Sequence, residues 1–235
     1  KLAMIDITFD FRSDTPSGKD PDAYSSTLRR YHKLLWSKPL PNGKLFALSD
    51  SVEGAYLHHQ SELGEFSLSS DSVIPSFGNW KRMEHIISQL KTGELEEFRS
   101  KNYTMGGMMI FPANRVDGKS TINGARGFNA LIKDRMDLTL ECIRRYYVNE
   151  ESPLIDVLER YKDFLALFET FKGYVEFFLL QDLVAEDFSE INFFMRFENF
   201  KTSAVPKTLN EYLDYKNLSI DFIRKRNHRI LGSIS

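Results

Sequence analysis

The spacing of apolar residues changes along the chain, and this change constrains the fold more than any other feature of the sequence. In the first half, short apolar–polar alternations are separated by Gly, Pro and Asn-Gly turn signals, as in β-strands. In the second half, apolar residues recur at three- and four-residue steps over longer stretches, as in amphipathic helices. We therefore predict an α+β fold, with a largely antiparallel sheet from the N-terminal half packed against helices mostly from the C-terminal half.

The boundaries of the predicted elements follow from these periods and from the turn residues between them. Asn42-Gly43 and Asp117-Gly118 are hairpin turn signals. The predicted strands are residues 5–11, 44–49, 55–60, 64–70 and two arms within 103–127. The predicted helices are 28–36, 79–99 with an interruption near Thr92-Gly93, 128–147, 154–168, 171–184 and 209–230, and 192–197 is a short strand or extended segment. Since no repeat or linker is present, we expect a single domain over residues 1–235.

Composition and charge exclude several classes of protein. The chain has 235 residues, 42% of them hydrophobic, which is enough to bury a core without a metal or disulfide. A net charge of −2 argues against a general nucleic-acid coat. The single cysteine, Cys142, allows no internal disulfide and favours a cytoplasmic location. There is no apolar run long enough to cross a membrane and no ordered signal peptide, so we expect no membrane partner.

No catalytic or cofactor motif is present, so the cofactor stays unknown. Gly18-Lys19 is not followed by Ser or Thr and is not part of a P-loop. The dinucleotide fingerprint, the nucleophile elbow and the zinc-protease helix motif are all missing from the sequence. His58 and His59 are adjacent on a predicted strand, where they point to opposite faces and cannot share a metal. We therefore predict no metal ligands.

The first polar cluster follows the predicted strand at residues 5–11, in the stretch FDFRSDTPSGKDPD. Paired carboxylates beside an arginine can hold a divalent ion or orient a polar ligand. The alternative is that the aspartates bond to their own turns and that the arginine neutralises them. The cluster consists of Asp10, Arg12, Asp14, Lys19, Asp20 and Asp22.

The second and third clusters are cationic. One predicted helix contains Arg29, Arg30, His32, Lys33 and Trp36. Its cationic face either binds a phosphate or a base or is an ordinary solvated surface. The third cluster lies at the ends of two predicted strands, where a Gly-rich exit into a helix suits an anion. Its alternative is a plain hairpin. Its members are Arg115, Asp117, Lys119, Asn123, Arg126, Asn129 and Arg135.

Four phrases of the sequence occur together: FDFRSDTPSGKDPD, TLRRYHKLLWSKPLPNGKLF, GGMMIFPANRVDGKSTINGARGFN and DRMDLTLECIRRYY. On these phrases, the chain resembles, over nearly its whole length, a family of bacterial proteins known only as a domain of unknown function. The resemblance implies a bacterial, single-domain protein of this size. It implies no activity, cofactor or catalytic residue.

The leading functional hypothesis is an enzyme, or an enzyme-derived protein, that binds a phosphorylated small molecule, a nucleotide or a nucleic-acid end. Polar clusters at predicted strand ends motivate it, since loops there often carry function. His32 is its candidate acid or base, because histidine titrates near neutrality. The candidate catalytic residues are Asp10, Asp14 and His32, and the candidate ligand-binding residues are Arg12, Lys19, Arg29, Arg115, Asn123, Arg126 and Arg135.

Two other hypotheses stay open at this point. The aromatic-rich stretch 154–184 has more apolar residues than one inner stripe needs, so it either forms a partner or homodimer face or is buried all round. The third hypothesis is a toxin or defence protein that acts on RNA through Arg29, Arg30 and His32. No ribonuclease motif supports it.

Overall fold

A short antiparallel sheet is formed by three strands that all come from the first half of the chain. The computed structural model describes residues 4–234. Strands β1 (Leu57–Ser61), β2 (Gly64–Ser72) and β3 (Met108–Pro112) pair in that order. The predicted α+β class and its antiparallel N-terminal sheet are confirmed.

Helices provide most of the regular structure, and the larger share of them follows β3. The longest, α10, is capped at its start by Thr208, whose side chain accepts from the Glu211 N–H. In residues 4–234 the helices are α1 (Pro21–Tyr24), α2 (Ser26–Trp36), α3 (Glu84–Ile87), α4 (Glu94–Asn102), α5 (Ile122–Phe128), α6 (Met136–Tyr147), α7 (Ile155–Arg160), α8 (Lys162–Ala166), α9 (Phe171–Phe177) and α10 (Leu209–Ser233). Buried apolar side chains from the sheet and from these helices form one cluster.

The prediction of a strand at residues 5–11 is wrong. The Phe9 N–H donates to the Asp6 carbonyl at 3.3 Å and closes a turn. Asp10 then accepts from the Arg12 N–H at 3.0 Å and caps a 3₁₀ helix, Phe11–Asp14. The aspartates of the alternating pattern therefore bond to local backbone, which competes with an extended strand. Ile5 is buried nonetheless, so the pattern did mark an inward-facing side chain.

The prediction of a second hairpin arm within 103–127 is also wrong, because helix α5 begins in that part of the chain. The Thr121 side chain accepts from the Gly124 N–H at 3.1 Å and starts the helix. The strand predicted at 44–49 contributes only isolated bridges, at Leu45 and Ser49. These segments fold by local capping and short bridges, which strand periodicity alone does not reveal.

Several helix boundaries differ from the prediction for backbone reasons. The helix predicted over 128–147 begins only at Met136, because Lys133 and Asp134 have φ angles of 49° and 62°. The interruption predicted near Thr92-Gly93 is confirmed, with Gly93 at a φ of 85°. The stretch 154–168 divides into α7 and α8, and 192–197 forms no strand and bends at Phe194 and Met195.

A buried arginine joins three elements of the core. Arg226 of α10 is fully buried, and its guanidinium donates to the carbonyls of Phe178 at 2.9 Å, Gly106 at 3.1 Å and Met108 at 2.7 Å. The carbonyls belong to the residue after α9, to the 3₁₀ turn Met105–Gly107 and to the start of β3. Burial lowers the pKa of Arg226 to about 10, so the side chain stays charged at neutral pH.

We expect Arg226→Met to lower the free energy of unfolding by about 3 kcal/mol or more, because it leaves several buried carbonyls without donors. Chemical denaturation followed by circular dichroism measures the loss. Arg229→Met is the matched control on the same helix, since Arg229 pairs with Asp182 at the surface and its loss costs less than about 1 kcal/mol. Equal losses in the two variants would contradict this role of Arg226.

Candidate functional site

The candidate site lies where β2 extends beyond its neighbour β1. β1 pairs with β2 only as far as Leu57 opposite Leu68, so residues 69–72 of β2 leave one edge open on that side. Helix α1 packs against this end of β2. The open edge is closed by a side chain of α1, because the Ser72 N–H donates to the Asp22 carboxylate.

Asp22 has acidic and hydroxyl neighbours on this edge. Asp20 caps α1 by accepting from the Asp22 N–H at 3.0 Å, and its carboxylate lies beside that of Asp22. The Ser70 hydroxyl lies 3.3 Å from Asp22 Oδ1. Asp71 is the next charged neighbour. The site is therefore a group of carboxylates and hydroxyls at the open edge of β2.

Asp71 is held by a buried arginine from α5. Arg126 Nη1 lies 2.6 Å from Asp71 Oδ2, and the Arg126 side chain is inaccessible to solvent while that of Asp71 is 20% exposed. Arg126 also donates to Thr139 at 2.9 Å, to Asn123 at 3.3 Å and to the Asp134 carbonyl. The donors of Arg126 are thus engaged within the protein, and its role is to fix Asp71.

The fourth carboxylate of the group belongs to Asp134, which lies in a segment with an unusual backbone conformation. Lys133 and Asp134 both have positive φ angles, and the Asp134 carboxylate lies 3.8 Å from Arg126 Nη1. A Cβ at Gly127 would approach Asp134 Oδ1 to 3.2 Å, so glycine leaves room for this carboxylate. The Asp134 side chain is 38% exposed, and solvent can reach the group from this side.

The environment shifts the pKa values of two of these carboxyls upward. Burial, followed by the charges of Asp71 and Asp20, raises the pKa of Asp22 well above its usual value. Burial also raises the pKa of Asp71, to about 6, since the opposing charge of Arg126 offsets burial and the neighbouring acids only in part. Asp22 faces two acids whereas Asp71 faces a cation, so Asp22 holds the proton more readily.

A directed chain of hydrogen bonds leads to Asp22 from the core. The Trp36 Nε1–H donates to His32 Nδ1 at 2.9 Å, which leaves the ring proton of neutral His32 on Nε2. That Nε2–H therefore donates to Ser70 Oγ at 2.8 Å, and the Ser70 hydroxyl donates onward to Asp22. The buried Tyr56 hydroxyl lies close to Ser70 and Asp22.

His32 does not have the properties expected of an acid or base near neutrality. The side chain is fully buried, and burial together with the charge of Arg226 lowers its pKa to about 3. Asp10 and Asp14 also have structural partners. Asp10 forms an ion pair with Arg12 at 2.7 Å, and Asp14 accepts from the Ser25 hydroxyl at 2.6 Å and the Thr27 N–H at 3.0 Å at the start of α2.

Most of the predicted ligand-binding cations are also engaged inside the protein. Arg12 bridges Asp10 and Glu96. Arg29 donates to backbone carbonyls at Tyr56 and Asp50. Arg135 is buried and pairs with Asp137. Asn123 accepts from Arg126, while Lys19 and Arg115 are exposed.

The structure brings together parts of the first and third sequence clusters, through residues that the sequence analysis missed. Asp20 and Asp22 come from the first cluster, and Arg126 from the third. Asp71 connects them. Asp71 lies one residue beyond the strand predicted at residues 64–70, in the part of β2 that the prediction did not include.

One comparison assigns the chain to a family. A family model described as a family of unknown function, DUF6994, matches residues 5–230. The chain belongs to this family. No curated protein and no solved structure matches it. Membership of DUF6994 thus confirms the resemblance to a domain of unknown function and adds no activity.

Two features are absent from the described part of the chain. Within residues 4–234, no set of three or more His, Cys, Asp or Glu side chains is arranged to hold a metal ion. None of the helices in the same range combines the length and the apolar character that crossing a membrane requires.

We expect Asp71→Asn to stabilise the protein at neutral pH, although it removes an ion pair. A carboxyl with a raised pKa contributes stability below about pH 4, and this contribution is lost as the pH rises through about 6. The variant should match the wild type near pH 4 and exceed its free energy of unfolding by roughly 2–3 kcal/mol at pH 7.5. Denaturant unfolding at a series of pH values measures the difference.

Asp50→Asn is the control for this experiment, because Lys33 lowers the pKa of the exposed Asp50. It should be neutral or slightly destabilising at pH 7.5, by less than about 1 kcal/mol. If Asp71→Asn destabilises the protein at pH 7.5 and not at pH 4, the Arg126–Asp71 pair is an ordinary stabilising ion pair and the pKa of Asp71 is not raised.

Proposed function

We propose that this protein is an acid–base enzyme that hydrolyses a C–O or C–N bond in a neutral or cationic substrate. Asp22 is the proton donor and Asp71 the proton acceptor. The observation that carries the proposal is the pair of neighbouring, partly exposed carboxyls on α1 and β2. The pKa values of both are raised, that of Asp71 to about 6. Titratable groups tuned in this way are concentrated at catalytic sites.

The two carboxyls have different environments, which supports different roles. Asp71 contacts Arg126 and so ionises before Asp22, whose nearest charged groups are Asp20 and Asp71. In the proposed reaction, Asp22 protonates the leaving oxygen or nitrogen as the bond to carbon breaks. Asp71 takes a proton from the attacking water, whose oxygen forms the new bond to carbon. The released group leaves as an alcohol or amine, and both carboxyls are restored by proton exchange with solvent.

The charge of the site favours a substrate without a negative charge. The group contains four aspartates, at positions 20, 22, 71 and 134, and one arginine, Arg126, which contacts Asp71 and lies near Asp134. An excess of carboxylates repels phosphate and carboxylate groups. A phosphorylated or nucleic-acid ligand, expected from the sequence, has less support here, because Arg126 and Arg135 are already bound to internal carboxylates. Lys19 and Arg115 are exposed and stay candidates for such a ligand.

The other two hypotheses also have less support than acid–base catalysis. The large apolar side chains of FLALF and VEFFLL are buried in the core. The number of apolar residues in these helices is therefore explained by core packing, without a partner or dimer face. An RNA-directed activity that depends on His32 has less support because His32 is buried and neutral.

The proposal is tested with chromogenic substrates that release p-nitrophenol or p-nitroaniline. p-Nitrophenyl glycosides and acyl p-nitroanilides represent neutral substrates, and p-nitrophenyl phosphate represents anionic ones. We expect turnover of at least one neutral class and none of the phosphate. Asp22→Asn should lower kcat/KM by about 10²–10⁴, the usual contribution of a general acid.

Asp187→Asn is the matched control, because the exposed Asp187 bonds only to Ser189 in its own turn in the described contacts. It should retain full activity, and circular dichroism should show that both variants are folded. Turnover of the phosphate alone, no turnover of any neutral class, or an unchanged kcat/KM in Asp22→Asn would each overturn the proposal.

A further inference from the structure

A separate cavity lies between the N-terminal segment, the end of α4 and the second half of α10. Its volume is about 280 Å³, just below the roughly 300–1,000 Å³ of typical small-molecule sites. This size suits a ligand of only a few carbon atoms. The cavity does not include Asp22, Asp71 or any other member of the acidic group.

One side of this cavity is apolar. Ile7 of the N-terminal segment and Ile220 and Ile223 of α10 contribute to its lining. Ile223 is buried, and Ile7 and Ile220 are half-buried against the core. Branched aliphatic side chains of this kind favour contact with a hydrocarbon chain or ring because such contact removes apolar surface from water.

The rest of the lining has an excess of positive charge. Lys101 at the end of α4 and Arg224 of α10 provide two cations, of which Arg224 already pairs with Asp221 at 2.7 Å. Among the described residues, the lining contains one carboxylate, Asp10, which is held by Arg12 through contacts of 2.7 Å and 3.1 Å. Lys101 is exposed and forms no ion pair in the described part of the chain, so its ammonium group can reach a ligand at the entrance.

The wall behind these side chains is preformed. Asn227 accepts from the Gly106 N–H at 2.7 Å and donates to Thr104 Oγ1 at 3.0 Å. A Cβ at Gly106 would approach the Ile223 carbonyl to 2.5 Å, so α10 packs directly on the 3₁₀ turn. A preformed cavity loses little ordering entropy on binding, which helps even a small ligand.

We propose that this cavity binds a small organic acid, with its carboxylate at Lys101, beside the Arg224–Asp221 pair, and its apolar body against Ile7, Ile220 and Ile223. The site goes beyond the acid–base centre, and its preference is opposite, since the acidic group repels anions. A neutral or cationic substrate at one site and an anionic ligand at the other would be recognised independently of each other.

Three ligands that differ only in the head group test the proposal by isothermal titration calorimetry. Hexanoate, hexanol and hexylammonium share one apolar chain. We expect hexanoate to bind with a Kd of roughly millimolar or tighter, the range for a ligand of this size. Hexanol should bind about tenfold more weakly, because it lacks the charge-assisted contacts, and hexylammonium more weakly still.

Two variants locate the binding. Lys101→Glu should weaken hexanoate binding about tenfold or more, and Ile220→Trp, which fills the cavity, should weaken binding of both hexanoate and hexanol. Lys225→Glu is the control, because Lys225 lies next to Arg224 on α10 but outside the cavity lining and pairs with Asp221. It should change the Kd by less than about threefold. Thermal unfolding confirms that each variant is folded.

Several results would overturn the proposal. Equal affinities for hexanoate and hexanol would show that the cationic side chains do not select the ligand. Equal effects of Lys101→Glu and Lys225→Glu would assign the binding to the general charge of the surface. Undetectable hexanoate binding at ten millimolar ligand would exclude a small-acid site. Loss of turnover at the acid–base centre would not affect any of these measurements, so the two proposals fail separately.

Discussion

The buried guanidinium of Arg226 is the interaction on which most of the structure depends. It satisfies carbonyls from α9, from the turn before β3 and from β3 itself, and thereby fixes α10 against the sheet. A positive charge in this position also acts on the groups around it. It lies 5.7 Å from the centre of the Trp36 ring and helps to lower the pKa of His32 to about 3. The same side chain that joins the helices thus sets the protonation state of the histidine behind the acidic group.

This neutral histidine determines the direction of the hydrogen bonds that lead to the site. Because the Trp36 N–H donates to Nδ1, His32 can donate only from Nε2, to the Ser70 hydroxyl. Ser70 in turn donates to Asp22. The donors all point from the buried cation towards the carboxylates, so the local dipoles are aligned with the field between Arg226 and Asp22. A reversed chain would put a donor against a donor. Asp22, at the open edge of β2, therefore has a fixed hydrogen-bonding partner.

The sequence predicted the class of fold, strands β1 and β2, the stretch that contains β3 and the long C-terminal helix, because these depend on periods that extend over many residues. It did not predict that residues 5–11 turn back on themselves or that α5 replaces a strand, since Asp10 and Thr121 decide these cases by local capping. Part of the candidate site could be found as well, because Asp22 and Arg126 lie in clusters that stand out as polar. Asp71 was missed, since the contact that defines its role crosses 55 residues of sequence. Nor could burial be deduced for His32, a polar residue of a predicted helix, or for Arg126, a polar residue at the end of a predicted strand.

Burial also explains why the cations that suggest an anion site in the sequence do not form one in the fold. A buried guanidinium must have its donors satisfied within the protein, because an unsatisfied buried charged group is strongly unfavourable. Arg126 donates to Asp71 and to three further internal acceptors, and Arg135 donates to Asp137 and the Ala204 carbonyl, so neither guanidinium is available to a ligand. The carboxylates that remain in excess, at positions 20, 22 and 134, then determine the electrostatic character of the site. The cationic residues that can meet an anion are those on the surface, and Lys101 combines such a charge with an apolar cavity.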